Sequence, residues 1–154
     1  MEKSKIINYI IIIASIVFIA VVGSVLVNIG MEWFSLLDKP NQFIPSFVIP
    51  IVWSVIYVTF AIVLCVWSNK ENFKKSTILL LILNGIFNIL WCLFFFTLNQ
   101  TFIGLISIVI LLILSYLLVV NIFKQKQVYA YFTAIYPLWV SIATTLNLAL
   151  WILN

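Results

Sequence analysis

Apolar residues in this chain fall in long unbroken runs, and polar residues collect between them. Five stretches are free of charged side chains: roughly 6–29, 46–68, 76–97, 102–123 and 128–152. A bilayer core takes about 20 apolar residues as helix, so each run is long enough to cross once. The connections are short except for 30–45 (GMEWFSLLDKPNQFIP), which is polar, aromatic and proline-containing. The pattern predicts an all-α integral membrane protein, one transmembrane domain over 1–154. It is a bundle of five helices with a long extracytoplasmic loop between helices 1 and 2, the only loop long enough to act as a lid.

Charge orients the bundle. Lys3 and Lys5 precede span 1, Lys70, Lys74 and Lys75 join spans 2 and 3, and Lys124 and Lys126 join spans 4 and 5. All seven fall on one face of a five-span arrangement; Lys39, beside Glu32 and Asp38, is alone on the other. Positive residues stay cytoplasmic, which puts the N-terminus inside and the 30–45 loop and C-terminus outside. The first apolar run exceeds the 7–15 residues of a signal-peptide core, so it is read as a retained span. Richness in Ile, Lys and Asn without Arg points to a bacterial cytoplasmic membrane.

Composition then narrows the chemistry. Of 154 residues, 66% are hydrophobic and 8% charged, against about 25% charged in soluble domains. The net charge of +4 is a topology signal, not a nucleic-acid patch. No ionisable carboxylate or amine lies within a span, which argues against proton-driven pumping and against acid–base or nucleophilic catalysis of the standard kinds. There is no His; Cys65 and Cys92 read as small apolar fillers. No metal and no cofactor is implied.

What the spans do carry is aromatic and amide stripes at helical spacing. Span 2 has Trp53, Tyr57 and Ala61. Span 3 has Asn84, Asn88, Trp91 and Phe95. Span 5 has Trp139, Ala143 and Asn147. At 1.5 Å rise per residue, Trp91, Trp53, Asn88, Ala143 and Tyr57 lie about 9, 10, 14, 14 and 16 Å below the outer surface, and Trp139 roughly 20 Å. Three helices thus bring these groups to the outer half or the midplane, beneath a loop that adds Trp33, Phe34, Leu37 and Phe43. Trp33, Trp67 and Trp151, near span ends, read most simply as interfacial anchors. The amides read equally well as glue between helices, so the residues alone leave a ligand cavity and plain packing both open. Small residues Ala20 and Ser24, and Gly104, Ser107 and Ser115, suit close helix approach or a dimer face.

Taken together, four blocks resemble the translocator protein (TspO/MBR) family, the tryptophan-rich sensory proteins or peripheral benzodiazepine receptors. They are Trp33-Phe34 with Leu37, Lys39 and Pro40; Pro50, Val52, Trp53 and Tyr57; Asn88, Trp91, Phe95 and Phe96; and Trp139 to Asn147, with a terminal Asn154. The resemblance implies a five-helix bundle, commonly a homodimer. Its ligand cavity lies under the first long loop, lined by Trp53, Tyr57, Asn88, Trp91, Trp139 and Ala143, with Pro40 and Pro45 shaping the lid. It implies flat hydrophobic ligands, porphyrins such as protoporphyrin IX among them. Here the loop reads Lys39-Pro40-Asn41-Gln42-Phe43-Ile44-Pro45, so a family Trp is replaced by Gln42 and one Pro by Ile44. The terminal Tyr and Arg linked to sterol recognition in animal members have no counterpart.

Three functions are therefore expected. The first is a receptor or transporter-like protein for a porphyrin or similar hydrophobic small molecule, bound by Trp53, Tyr57, Asn88, Trp91, Phe95, Trp139, Ala143 and Asn147. The second is a light- and oxygen-dependent porphyrin-degrading enzyme, with Trp53 and Trp139 as reactive indoles. The third is a sensory membrane protein acting through a partner.

Overall fold

The computed structural model describes residues 2–41 and 44–154. Its elements are α1 (Glu2–Leu36), α2 (Val48–Ser68), α3 (Lys75–Cys92) continuing into a π-helical turn (Leu93–Thr97), α4 (Thr101–Phe123), α5 (Gln127–Thr133) and α6 (Ile135–Leu153). Among the described residues, five helices are long and apolar enough to cross a membrane, α5 and α6 together forming the fifth. This is the all-α, five-span membrane bundle that the apolar runs predict. Helices dominate because lipid offers no partner for backbone groups, so each span must satisfy its own.

Two boundaries differ from the expected ones. Helix α1 does not stop near residue 29; it runs on to Leu36. Nothing in 30–36 forbids helix, since a single glycine is tolerated, and the first strong breaker is Pro40. Trp33 and Phe34 are therefore helical residues, not loop residues. The connection shrinks to 37–47, which holds Leu37, Pro40 and Pro45; Phe43 and Gln42 lie outside the described residues. Lys39 closes the end of α1: its Nζ donates to the carbonyls of Phe34 (3.0 Å), Leu37 (3.2 Å) and Ser35 (3.3 Å). The Phe34 carbonyl also accepts from the Leu37 N–H at 3.4 Å, and the ammonium adds to the satisfaction of carbonyls at the helix end, where intrahelical donors run out.

The fifth span is interrupted at Ala134. Pro137, three residues into α6, has no N–H to offer the Thr133 carbonyl, and its ring crowds that carbonyl. Thr133 is fully buried, and its hydroxyl donates back to Tyr129 O at 3.0 Å.

The core runs along α4, whose buried positions Gly104, Ser107, Ile108, Leu111, Ser115, Leu118 and Ile122 recur every three or four residues. Gly104 lets Phe95 close in: a Cβ there would lie 2.7 Å from Phe95 Cβ. Helix α1 is peripheral. Of its residues from Lys5 onward, only Gly23, Gly30 and Phe34 are buried. Its tightest contact is Gly30, where a Cβ would overlap the Phe96 carbonyl oxygen. Nearby, the Thr97 hydroxyl donates to Leu26 O at 2.8 Å. Gly30 is thus a point where α1 meets another backbone.

Both ends are tied by polar contacts. At one, the Asp38 N–H donates to Asn154 Oδ1 (2.9 Å), and Asn154 Nδ2 donates to Asp38 O (3.1 Å). At the other, Thr77 donates to Asn121 Oδ1 (2.8 Å), Gln125 Nε2 donates to Thr77 Oγ1 (2.9 Å), and Lys126 pairs with Glu71 (2.9 Å).

Candidate functional site

The aromatic stripe of α2 turns inward at Trp53, Tyr57, Phe60 and Leu64, rather than through Ala61. Trp53 is the hub. Its ring stacks on Tyr57 (centroids 5.8 Å, 28° between planes), lies 6.0 Å from Trp91 on α3, and meets Tyr136 on α6 edge-on at 6.3 Å. Phe60 meets Tyr136 edge-on at 5.5 Å. Ring pairs at these separations contribute about 0.5–1.5 kcal/mol each beyond the area they cover.

Polar groups fix the geometry. The Tyr57 hydroxyl donates to Asn88 Oδ1 (3.3 Å), joining α2 to α3. Trp91 Nε1 donates to Asn147 Oδ1 (3.1 Å), joining α3 to α6, while Asn147 Nδ2 donates to its own helix at Ala143 O (3.0 Å). Trp139 is buried, and its indole N–H has no acceptor among the described residues.

The π turn decides what happens above Trp91. Leu98 N bonds Leu93 O, five residues back, and the widened turn sends two adjacent rings inward, so Phe95 and Phe96 are both buried. Such turns are rare and frequent at functional sites. Phe34 packs against both, at 6.2 and 5.3 Å, and Trp33 meets Phe95 edge-on at 5.8 Å.

These rings divide the expected single cavity in two. Beneath the 37–47 connection, where one chamber was expected, Phe34, Phe95 and Phe96 fill most of the space. About 40 Å³ is left there, lined by Trp53, Trp91, Phe95, Trp139, Ala143 and Asn147. On the other side of Trp53, toward the α2–α3 connection, lies a cavity of about 1080 Å³. Its back wall is Trp53, Ile56, Tyr57, Phe60 and Tyr136; α3 adds Asn84 and Asn88; the α1 side is Ile11, Ile12, Ser15, Phe18 and Ile19. Phe18 on α1 and Ile82 and Ile86 on α3 border it and are exposed, so the cavity reaches the bundle surface between these helices. Of the expected binding residues, Trp53, Tyr57 and Asn88 line the large cavity, and Trp91, Phe95, Trp139, Ala143 and Asn147 line the small one. Only Trp53 borders both.

Two features were not read from the sequence. Tyr136 closes the back of the large cavity, and its place beside the helix-breaking Pro137 was the available signal. Trp67 is no interfacial anchor: it is 1% exposed, and its Nε1 donates to Glu71 Oε1 at 2.8 Å. It packs between Phe73 (5.1 Å) and Tyr129 (5.7 Å).

The sequence model of the TspO/MBR family matches residues 11–152. The chain is similar to the tryptophan-rich protein TspO of Bacillus cereus, 29% identical over 134 residues, covering 86% of this chain and 88% of that one. It is similar to the protein of the same name from Archaeoglobus fulgidus, 29% identical over 126 residues, covering 79% and 80%. It is also similar to protein CrtK of Rhodobacter capsulatus, 26% identical over 125 residues, covering 79% and 78%.

Proposed function

The chain belongs to the TspO/MBR family of membrane proteins, and on that premise we propose that it binds a flat hydrophobic small molecule, of the porphyrin class, between its helices. The observation that carries the reading is the cavity of about 1080 Å³ backed by Trp53, Tyr57, Phe60 and Tyr136. Ligand pockets commonly enclose about 300–1,000 Å³, with mostly apolar walls and a few placed polar groups. A planar ring would lie against the Trp53–Tyr57 pair, with Asn88 beside it. Trp53 would pass the effect of occupancy to Trp91 and the small chamber, where Trp139, Ala143 and Asn147 offer a second contact surface once Phe34 and Phe95 move aside.

The Lys distribution supports an inside N-terminus, which would place the large cavity in the cytoplasmic half of the bilayer. A single cysteine at Asn154, added to a Cys65→Ala, Cys92→Ala chain, should react with an impermeant maleimide in intact cells, and one at Gln127 should not. The reverse pattern would invert the topology.

Titration of the protein in lipid nanodiscs with protoporphyrin IX tests the binding reading. Saturable quenching of tryptophan fluorescence is expected, weakened by Trp53→Phe and by Ile82→Trp, which fills the cavity. Unsaturable quenching, or quenching equal in all three proteins, would overturn it. Parallel dark and illuminated titrations separate binding from turnover: a new absorbing product only in light with protein present would favour the degrading reading.

A further inference from the structure

Helix α1 seats on the bundle over only part of its length. Its buried residues, Gly23, Gly30 and Phe34, lie toward the 37–47 connection, and from Lys5 to Val22 none is buried. A close approach to α3 occurs at Gly85, where a Cβ would lie 2.6 Å from Ile19 Cδ1. From that level toward the α2–α3 connection, the large cavity lies between the two helices. Ile11, Ser15 and Phe18 on α1 and Ile78, Ile82 and Ile86 on α3 line it and are also exposed. Each set falls on one helix edge. The two edges bound a slot about 10–12 Å long, which in a membrane faces lipid chains.

The cavity has one polar end. Asn8 on α1, Ser68 at the end of α2, and Glu71 and Asn72 on the α2–α3 connection line it there. The Ser15 hydroxyl, on the slot edge, donates to its own helix at Ile11 O (2.8 Å). From Asn8 to Ile19 the α1 wall is about 17 Å long. One leaflet contributes about 15 Å to a hydrocarbon core of about 30 Å, so the cavity is one leaflet deep. Apolar walls do not hold water, and walls left uncovered forfeit their dispersion contacts. Lipid chains are what the slot admits. Its polar end is also the lysine-rich one, with seven lysines against Glu2 and Glu71 in the sequence. Lys70 and Lys74 flank Glu71 and Asn72 along the chain. Glu71 is matched by Lys126 at 2.9 Å and also feels the charge of Lys74. The excess charge at this end is positive.

We propose that the large cavity takes an acyl chain of an anionic amphiphile from the leaflet on the lysine-rich side. The chain enters sideways between α1 and α3 and runs along the isoleucines toward Phe60 and Tyr57. The head stays at the polar end, where Asn8 and Asn72 carry amide donors and Lys70 and Lys74 supply the attraction. A chain gains little by moving from lipid to a wall of Ile and Leu, because the two are equally apolar. The head therefore decides which molecules collect. The shared chemistry is a long chain ending in a phosphate or a carboxylate, which a phospholipid and a free fatty acid both supply. This ligand class goes beyond the planar one proposed above.

Photolabelling tests it, with three probes that carry a diazirine near the end of the same acyl chain: phosphatidylglycerol, phosphatidylcholine and the free fatty acid. Each is mixed into nanodiscs holding the protein, illuminated, and mapped by peptide mass spectrometry. Label at Tyr57 and Phe60 is divided by label at Ile113 and Leu117, which are exposed on α4 and outside the cavity. The phosphatidylglycerol or fatty-acid ratio should exceed the phosphatidylcholine ratio about tenfold, the scale of one to two lysines beside the head. Whichever anionic probe labels more strongly identifies the source. Lys70→Gln with Lys74→Gln should bring the ratios together, and Ile82→Trp should remove the label at Tyr57 and Phe60. Absence of label there with every probe overturns chain entry. Equal ratios for all three probes in the unmutated protein overturn selection by the head, and a preference untouched by the lysine substitutions overturns its placement. Label unchanged by Ile82→Trp overturns entry through the slot. The probe comparison in the unmutated protein needs no variant to fold. No probe is a porphyrin, so this proposal and the porphyrin reading fail separately.

Discussion

Trp91 and Asn147 hold α3 to α6 through a buried hydrogen bond, Nε1 to Oδ1 at 3.1 Å. Inside a bilayer there is little hydrophobic force between helices, so packing and such bonds carry association, with measured values averaging about 0.6 kcal/mol and reaching about 1.7. Asn147→Leu leaves the indole N–H buried without an acceptor, a state that costs about 1–3 kcal/mol. A fall in stability of about 1–2 kcal/mol is expected, read by denaturation in mixed micelles. Trp91→Phe on the Asn147→Leu background should recover part of the loss. Independent, additive effects of the two substitutions would show that the bond does not couple the helices.

Gly30 sets the approach of α1 to the π turn. A methyl group there would overlap the Phe96 carbonyl, which is backbone and cannot swing away. Gly30→Ala should push α1 off the bundle and cost about 1–3 kcal/mol, the range for overpacked sites. Gly23→Ala is the control: the nearest atoms to a new Cβ there are Cys92 Sγ at 3.6 Å and Asn88 Oδ1 at 3.8 Å, ordinary contacts. That variant should be neutral or better. Equal destabilisation by both would mean that α1 does not seat on the Phe96 backbone.

Asn154 and Asp38 join the chain end to the α1–α2 connection through two hydrogen bonds, at 2.9 and 3.1 Å. Both residues are exposed, so each bond contributes little to global stability, yet together they restrain the segment after α1. Asn154→Ala should raise hydrogen exchange at the Asp38 amide by about tenfold, equivalent to about 1.4 kcal/mol of local opening and the scale of one hydrogen bond, while the melting temperature stays put. Unchanged exchange at Asp38 would show that the contact does not persist in solution.

The spans were legible because a bilayer demands about 20 apolar residues per crossing, and no other arrangement of this composition meets that demand. Trp53, Tyr57, Asn88 and Trp91 were legible as stripes at a 3.6-residue period. What the stripes could not show was the partition at Trp53. Phe96 is out of phase with Asn88 and Trp91 in a regular helix, and only the extra residue of the π turn brings it inward beside Phe95. Helix α1 is apolar on every side, so no pattern marks Ile12, Ile16 and Ile19 as cavity wall. Trp67 looked like an anchor by its place near a span end; its burial depends on Glu71 offering the acceptor that an indole N–H requires.

Glu71 couples that indole to the α4–α5 connection on the same face of the bundle. Lys126 donates to it and holds its carboxyl below the ordinary carboxylate range; partial desolvation opposes this, and the Trp67 N–H reinforces it. A carboxyl held lower in the folded state stabilises the fold above its unfolded value, about 4.3 for Glu. That contribution is lost as pH falls through the lowered folded value. The melting temperature should therefore drop between neutral pH and pH 3, and Trp67 emission should shift as its acceptor is protonated. Glu71→Gln keeps an acceptor for Trp67 but removes the charge, so it should melt lower than the unmutated protein at neutral pH and converge with it in acid. Lys126→Met should follow the same course, since the ion pair is what lowers the carboxyl. If the gap between Glu71→Gln and the unmutated protein is the same at pH 7 and pH 3, the Lys126–Glu71 pair does not link stability to protonation.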